Sequence, residues 1–431
     1  MDKKKRIVIT GIGVVTPIGI GKDVFWENAL NGTCGINPLV LEGKKGVTEI
    51  LCGQVDDFKA RNYIENRKSL KVMSKDMQMS VAAAKLAVED SGLDLQSVDP
   101  TMLGVSIGAG MIHSDLDELG LPISESCVNG KFDITKFAKQ AQTLLYPLWL
   151  LKQLPNMLAS HISIINNAQG PSNSLTTSSS AGLQAIGEAD RIIERDDARW
   201  FICGGADHKV HPLEILKYDL LHLLYDRSKK SLPDVACAYD RRRSGLIPGE
   251  AAVVVVIEDL QSAVDRNASI YGEIIGYGSS GGVTVRDTDP EKCSYIESIS
   301  ILNALDDAGL TPDRIDCIFG HGSSSVVGDA AEIMAYKKAL GNAAYNIPIT
   351  SVVPMVGFNG AALGPLNLVC ALLAMRDSKL FPTLFLEDPD PVCDLDIVRG
   401  AYRDHEVSVA MVNTFDFAGQ GATMIVKKYE G

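Results

Sequence analysis

The chain has 431 residues, 46% hydrophobic and 22% charged, a composition that suits a soluble globular protein with one large core or two domains and leaves no disordered tract. Its 41 Lys and Arg against 54 Asp and Glu give a net charge of −13, which sets nucleic acid aside as a partner and asks any acidic partner to find a local basic patch. The nine cysteines are scattered singly with no CxxC, the pattern of reduced thiols in a cytoplasmic protein.

The N-terminal run RIVITGIGVVTPIG follows a basic stretch and mimics a leader. Gly11, Gly13, Pro17 and Gly19 interrupt it, however, and no small-residue cleavage site follows, so RIVIT reads as a buried strand. GIGVVT lacks the third glycine of a dinucleotide fingerprint, and neither a P-loop nor a metal-ligand spacing occurs, so no cofactor and no metal are implied. In NRKSLKVMSK (66–75), Lys68, Lys71 and Lys75 share one face if the segment is helical. That face is either a docking patch for an acidic partner or ordinary solvated lysine. The next segment, SKDMQMSVAAAKLAVEDSG, is predicted to be a helix capped at Ser74 and closed at Gly92.

Further strands are predicted at 103–108, 173–177, 200–205, 251–258, 317–322, 407–413 and 422–428. The apolar stretch 143–159 contains Pro147, Lys152 and Pro155 and is too short and broken to cross a bilayer. Strands alternating with helices indicate an α/β fold with buried sheets. SLTTSSSAGLQAIGEADRII followed by WFICGG has the same plan as ITSVVPMVGFNGAALGPLNLVCALLAM followed by VSVAMVNTF: strand, small-residue loop, helix, strand. A duplicated unit follows, with its join near residue 258 and its active loops meeting between the halves.

Three loops hold residues suited to chemistry. TTSSSAG (176–182) turns a strand into a helix at Ser178 and Ser179, a corner that exposes a nucleophile over a positive helix end. Serine is also a favoured cap, and local sequence alone favours capping. FGHGSSSVVGDAAE places His321 at a strand exit in a glycine loop, as a base, a hydrogen-bond donor or a backbone-satisfied core histidine. NTFDFAGQGA (413–422) sets two aromatics around Asp416 in a turn that is either a gate or a hairpin loop.

These segments together resemble the β-ketoacyl-ACP synthase family of the thiolase superfamily, over nearly the whole chain, in RIVITGIGVVTPIG, GPSNSLTTSSSAGLQAIGEADRII, GGADHKVHPL, YDRRRSGLIPGEAAVVVVIE, HGSSSVVGDAAE and NTFDFAGQGATMIV. The resemblance implies a thiolase-like α/β fold of duplicated βαβαβ halves in a five-layer α-β-α-β-α core, with residues 1–258 and 259–431 as the two halves. An active member would carry a cysteine nucleophile, two histidines and a lysine. The nucleophile position falls on Ser179, and the first histidine is kept as His321. The second falls on Phe358, the lysine on Val353, and the glycine-rich gate has become Asp416, Phe417, Ala418 and Gly419. Because alanine does not readily adopt positive φ, that gate is expected to be stiff. Arg67, Lys68, Lys71 and Lys75 are the expected docking residues for an acyl carrier protein.

A serine hydroxyl stays protonated where a thiol near a helix N-terminus ionises, and Phe358 offers no donor to a developing enolate. Condensation by this chain alone is therefore not expected. One reading is a chain-length-factor-like subunit that pairs with a catalytic ketosynthase through its apolar central region and shapes the acyl tunnel, with a homodimer left open. The alternative is a Ser179 acyltransferase, priming or hydrolytic enzyme, with His321 as base and Asp416 orienting it.

Overall fold

The structure, a computed structural model, describes residues 5–43, 46–229, 231–282 and 289–431. Lys3 and Lys4 of the leader-like stretch lie outside the described residues. The first predicted strand is β1 (Ile7–Thr16), buried along its whole length. Both of its faces are covered, which is why its sequence is continuously apolar rather than alternating. The predicted helix is α1 (Lys75–Ser91), with the Ser74 hydroxyl accepting from the Met77 N–H and Gly92 closing it at φ +61°. A side chain at Gly13 would lie 1.9 Å from the Ala83 carbonyl of α1. Gly11 and Gly13 therefore let this helix lie close on its strand.

The remaining core elements of the N-terminal half are β2 (Leu103–Ala109), α2 (Met157–Asn166), β3 (Ser172–Leu175), α3 (Ala181–Glu194), β4 (Trp200–His208) and β5 (Glu250–Asp259). Those of the C-terminal half are β6 (Gly272–Gly281), α4 (Pro290–Ala308), β7 (Cys317–Phe319), α5 (Val326–Leu340), β8 (Ile349–Thr350), α6 (Leu363–Asp377), β9 (Val409–Phe415) and β10 (Gln420–Lys427). The strands form one sheet in the order β8-β7-β9-β10-β6-β1-β5-β4-β2-β3, with a short strand at Gly19–Ile20 beside β1. Each half has the same internal order: third, second, fourth, fifth, first. In each, the third and fourth strands run parallel to the second, and the fifth is antiparallel to the fourth and the first.

The halves join where Ile7–Ile9 of β1 pairs with Gly272–Ile274 of β6. Helices α1 and α2 cover the outer face of the first half-sheet, α4 and α5 cover that of the second, and α3 and α6 pack together between them. This is the five-layer thiolase-like arrangement. Helix α6 is buried from Leu363 to Met375, and a helix surrounded by protein has no polar face to conserve, which explains its uniformly apolar sequence.

The apolar stretch 143–159 is divided among the end of a helix at Ile134–Leu144, a 3-10 turn at Trp149–Gln153 and the start of α2. Among the described residues, no helix is long and apolar enough to cross a membrane.

Candidate functional site

Beyond β3 the chain turns sharply. Ser178 has φ +54°, a conformation that costs a non-glycine residue energy and persists only where its surroundings hold it. A 3-10 turn at Ser178–Ser180 then runs straight into α3, leaving Ser179 and Ser180 fully buried. The hydroxyls do not cap the helix: neither Thr177 nor Ser180, at the two cap positions, makes a side-chain cap bond. The Ser179 hydroxyl donates to Asp416 Oδ2 at 3.2 Å, and the Ser180 hydroxyl donates to the Gln420 carbonyl at 3.1 Å. The capping expectation thus fails because the partners of the corner come from the other half of the chain, where local sequence does not reach.

Those partners lie in the turn between β9 and β10. The Asp416 N–H donates to the Gln420 carbonyl at 2.8 Å, the Gly419 N–H donates to the Asp416 carbonyl at 2.8 Å, and the Ala418 N–H donates to Asp416 Oδ1 at 2.7 Å. The positive φ of the turn, +85°, falls on Gly419 and not on Ala418. The expected stiffness from alanine therefore has no backbone strain behind it. Phe417 is 37% exposed at the rim.

His321 follows β7, and Glu332 of α5 sets its loop. One carboxylate oxygen of Glu332 accepts the His321 N–H at 2.6 Å and the Tyr336 hydroxyl at 2.6 Å; the other accepts the Gly322 N–H and the Tyr239 hydroxyl, each at 2.9 Å. Burial depresses the His321 imidazole to about 4. Its Nδ1 accepts the Phe415 N–H at 3.4 Å, so the neutral ring carries its proton on Nε2. The alternative reading had Asp416 orienting this histidine. The carboxylate instead engages Ser179 and the Ala418 N–H, and His321 takes its bond from the backbone of β9.

Phe358 and Val353 are buried and belong to the main apolar core. The Phe358 ring meets His321 edge-on at 5.7 Å and Tyr218 at 6.2 Å. Its backbone is pinned on both sides, the Phe358 N–H donating to Ile247 at 2.7 Å and the Gly249 N–H donating to the Phe358 carbonyl at 2.9 Å. Val353 opens a single helical turn, Val353–Val356, buried throughout. Both side chains therefore fill space and present no hydrogen-bonding group.

The lysine segment departs from expectation. Arg67, Lys68 and Lys71 are exposed, but a 3-10 turn at Ser69–Val72 and an extended Met73 separate them from α1. Lys75 is turned away into an ion pair with buried Glu250 at 2.5 Å. Glu250 is fully buried and shared between Lys75 and His208, and satisfying a buried carboxylate outweighs the helical spacing.

Sequence reasoning also missed a buried cation. Lys209 lies 2.9 Å from Asp207 and 3.1 Å from Glu214, and Asp207 Oδ2 accepts the Ala361 N–H at 3.1 Å, tethering the turn that leads from Phe358 into α6. The clue was present in GGADHKVHPL, where a lysine stands among core residues. Glu332 was within the quoted histidine segment, eleven residues beyond His321, but spacing alone gave it no role.

Residues 4–263 match the family model described as the beta-ketoacyl synthase N-terminal domain, and residues 271–387 match that of its C-terminal domain. The chain belongs to the β-ketoacyl synthase family. Two curated members of the family are similar over essentially the whole length. A 3-oxoacyl-[acyl-carrier-protein] synthase 2 of Staphylococcus aureus (strain COL) is 32% identical, with 100% of each chain covered. The same-named protein of Coxiella burnetii (strain RSA 493 / Nine Mile phase I) is 33% identical, with 99% of each covered. Among solved ketosynthase structures, the ishigamide ketosynthase/chain length factor is 26% identical with a TM-score of 0.85, covering 99% of this chain and 100% of that one. A type II PKS acyl-carrier protein in complex with its ketosynthase, AntDE:AntF, matches at 25% identity and the same TM-score and coverage.

Proposed function

We propose that this ketosynthase-family chain is a non-condensing, chain-length-factor-like subunit that pairs with a catalytic ketosynthase in carrier-protein-dependent fatty acid or polyketide synthesis. The observation that carries the reading is the pair Phe358 and Val353. Each is locked into the core where a condensing site needs a donor, and removing one oxyanion donor typically costs about 2.7–4 kcal/mol of barrier. With a serine at the nucleophile corner besides, condensation by this chain is lost.

Its surface supports a partner. Among the described residues, more than half of the exposed large apolar side chains fall between 111 and 165, including Met111, Phe132, Ile134 and Ile164. Exposed apolar side chains concentrated in one segment support an association surface there. The strand β3 ends the sheet with Ser172 and Asn173 exposed. The equivalent edge of the other half, β8, is instead covered, with the Ile349 N–H donating to Asp396 and the Val398 N–H donating to Ile349, each at 2.8 Å. The related ishigamide pair, by its name, joins a ketosynthase with a chain length factor.

Native mass spectrometry of the protein from its own host tests the reading. A heterodimer with a cysteine-bearing ketosynthase, with no added mass on this chain, is expected. A homodimer carrying an acyl mass on Ser179 would overturn it.

A second reading, a Ser179 acyltransferase or hydrolase, is favoured by one contact: the Ser179 hydroxyl already has a carboxylate acceptor in Asp416. It requires an acyl adduct on Ser179 that disappears in Asp416→Asn.

A further inference from the structure

Asp416 lies beside the nucleophile position as an acidic side chain with no cationic partner. Its Oδ2 takes the Ser179 hydroxyl at 3.2 Å and its Oδ1 takes the Ala418 N–H at 2.7 Å; among the described residues no lysine, arginine or histidine forms an ion pair with it. His321, the remaining polar ring at the site, is packed between Phe358 and Phe415 and offers no compensating charge. Any group bound at Ser179 therefore meets a carboxylate within a few ångströms, in surroundings where apolar side chains leave little water to screen it.

We propose that Asp416 makes the Ser179 position charge-selective, barring ligands that bring a carboxylate to Ser179 and admitting only neutral or cationic acyl groups. Malonyl-type acyl groups, which carry a free carboxylate, are excluded by this charge independently of the losses at Phe358 and Val353. The inference concerns Ser179 and Asp416 alone and stands whichever partner the chain pairs with. Two like charges about 4 Å apart in a partly screened protein environment repel strongly enough to lower occupancy about 100-fold or more.

The test uses the full chain carrying Ser179→Cys, treated in parallel with iodoacetamide and iodoacetate. These reagents deliver a neutral and an anionic group through the same displacement of iodide by a thiolate. Labelling is read by peptide mass at the introduced thiol and, in the same sample, at exposed Cys127, which supplies the intrinsic ratio of the two reagents.

With Asp416 present, the preference for iodoacetamide at the introduced thiol is expected to exceed that at Cys127 by about 100-fold. Adding Asp416→Asn should bring the two ratios within about threefold of each other. Because the carboxylate also suppresses the thiolate, absolute rates will rise with both reagents, and the ratio isolates ligand charge.

Equal ratios at the introduced thiol and Cys127 with Asp416 intact, or a ratio unchanged by Asp416→Asn, would overturn the proposal. So would an absence of labelling by either reagent in both proteins, since burial and not charge would then close the site. Buried Cys203 left unlabelled marks folded protein, and Asp416→Gly repeats the comparison if the amide disturbs the turn.

Discussion

Replacing Glu332 by glutamine tests how the histidine loop is held. Each oxygen of that carboxylate accepts one backbone N–H, from His321 or Gly322, and one tyrosine hydroxyl. An amide accepts through only one of its two terminal atoms, so one backbone N–H must face an NH2 group. A tyrosine hydroxyl can rotate, but the backbone cannot. A buried donor left without an acceptor costs about 1–3 kcal/mol, and the loss of a bond to a charged acceptor adds to it. On that basis Glu332→Gln should cost about 2–4 kcal/mol. Tyr239→Phe removes a single hydroxyl donor and leaves the carboxylate three others, so it should cost only about 1 kcal/mol. Urea unfolding followed by tryptophan fluorescence, with all proteins at one concentration so that association contributes equally, ranks them. If Glu332→Gln is no less stable than Tyr239→Phe, the carboxylate does not organise the loop.

Four further outcomes are expected. His321 titrates at about 4 when folded and near 6.5 when unfolded, so its burial removes up to about 3 kcal/mol of stability as pH falls from about 6.5 to about 4. Asp329, pushed up to about 7 by burial, gains stability over the same range, so the effect must be read as wild type minus His321→Gln; superimposable pH–stability curves would refute it. Ser179→Ala should leave product formation by a purified two-subunit system nearly unchanged, and a large loss would remove the partner reading. Charge reversal at Lys68 and Lys71 should weaken binding of an acidic acyl carrier protein, more at low salt than at high. Lys75→Glu should instead lower stability, because a second carboxylate would then face buried Glu250 with only His208 left as its partner.

The fold was legible where burial controls sequence on both sides of an element. β1 and β5 are continuously apolar, and α1 announces both its ends through Ser74 and Gly92. The Gly-rich β6 and the hairpin formed by Ile36–Gly43 and Gly46–Gly53 escaped notice because neither alternates nor runs apolar. Family likeness nominated the candidate site residues but not their contacts. Ser179 and Asp416 are 237 residues apart in the chain, and nothing local to either shows that the carboxylate serves the serine and not the histidine. Lys75 shows the converse limit, since helical spacing placed it on a face that the 3-10 turn at Ser69–Val72 dissolves.

The open edge at β3 has a practical meaning. An unpaired strand in a large sheet is a template for any extended chain, including another molecule of the same protein. β3 contains no proline or lysine to discourage such additions, and the apolar side chains between 111 and 165 are exposed on the same chain. Made alone, the protein should dimerise with itself or precipitate. Made together with the subunit that fits this edge, it should stay dispersed, so solubility on co-expression becomes a screen for the partner that requires no knowledge of the product.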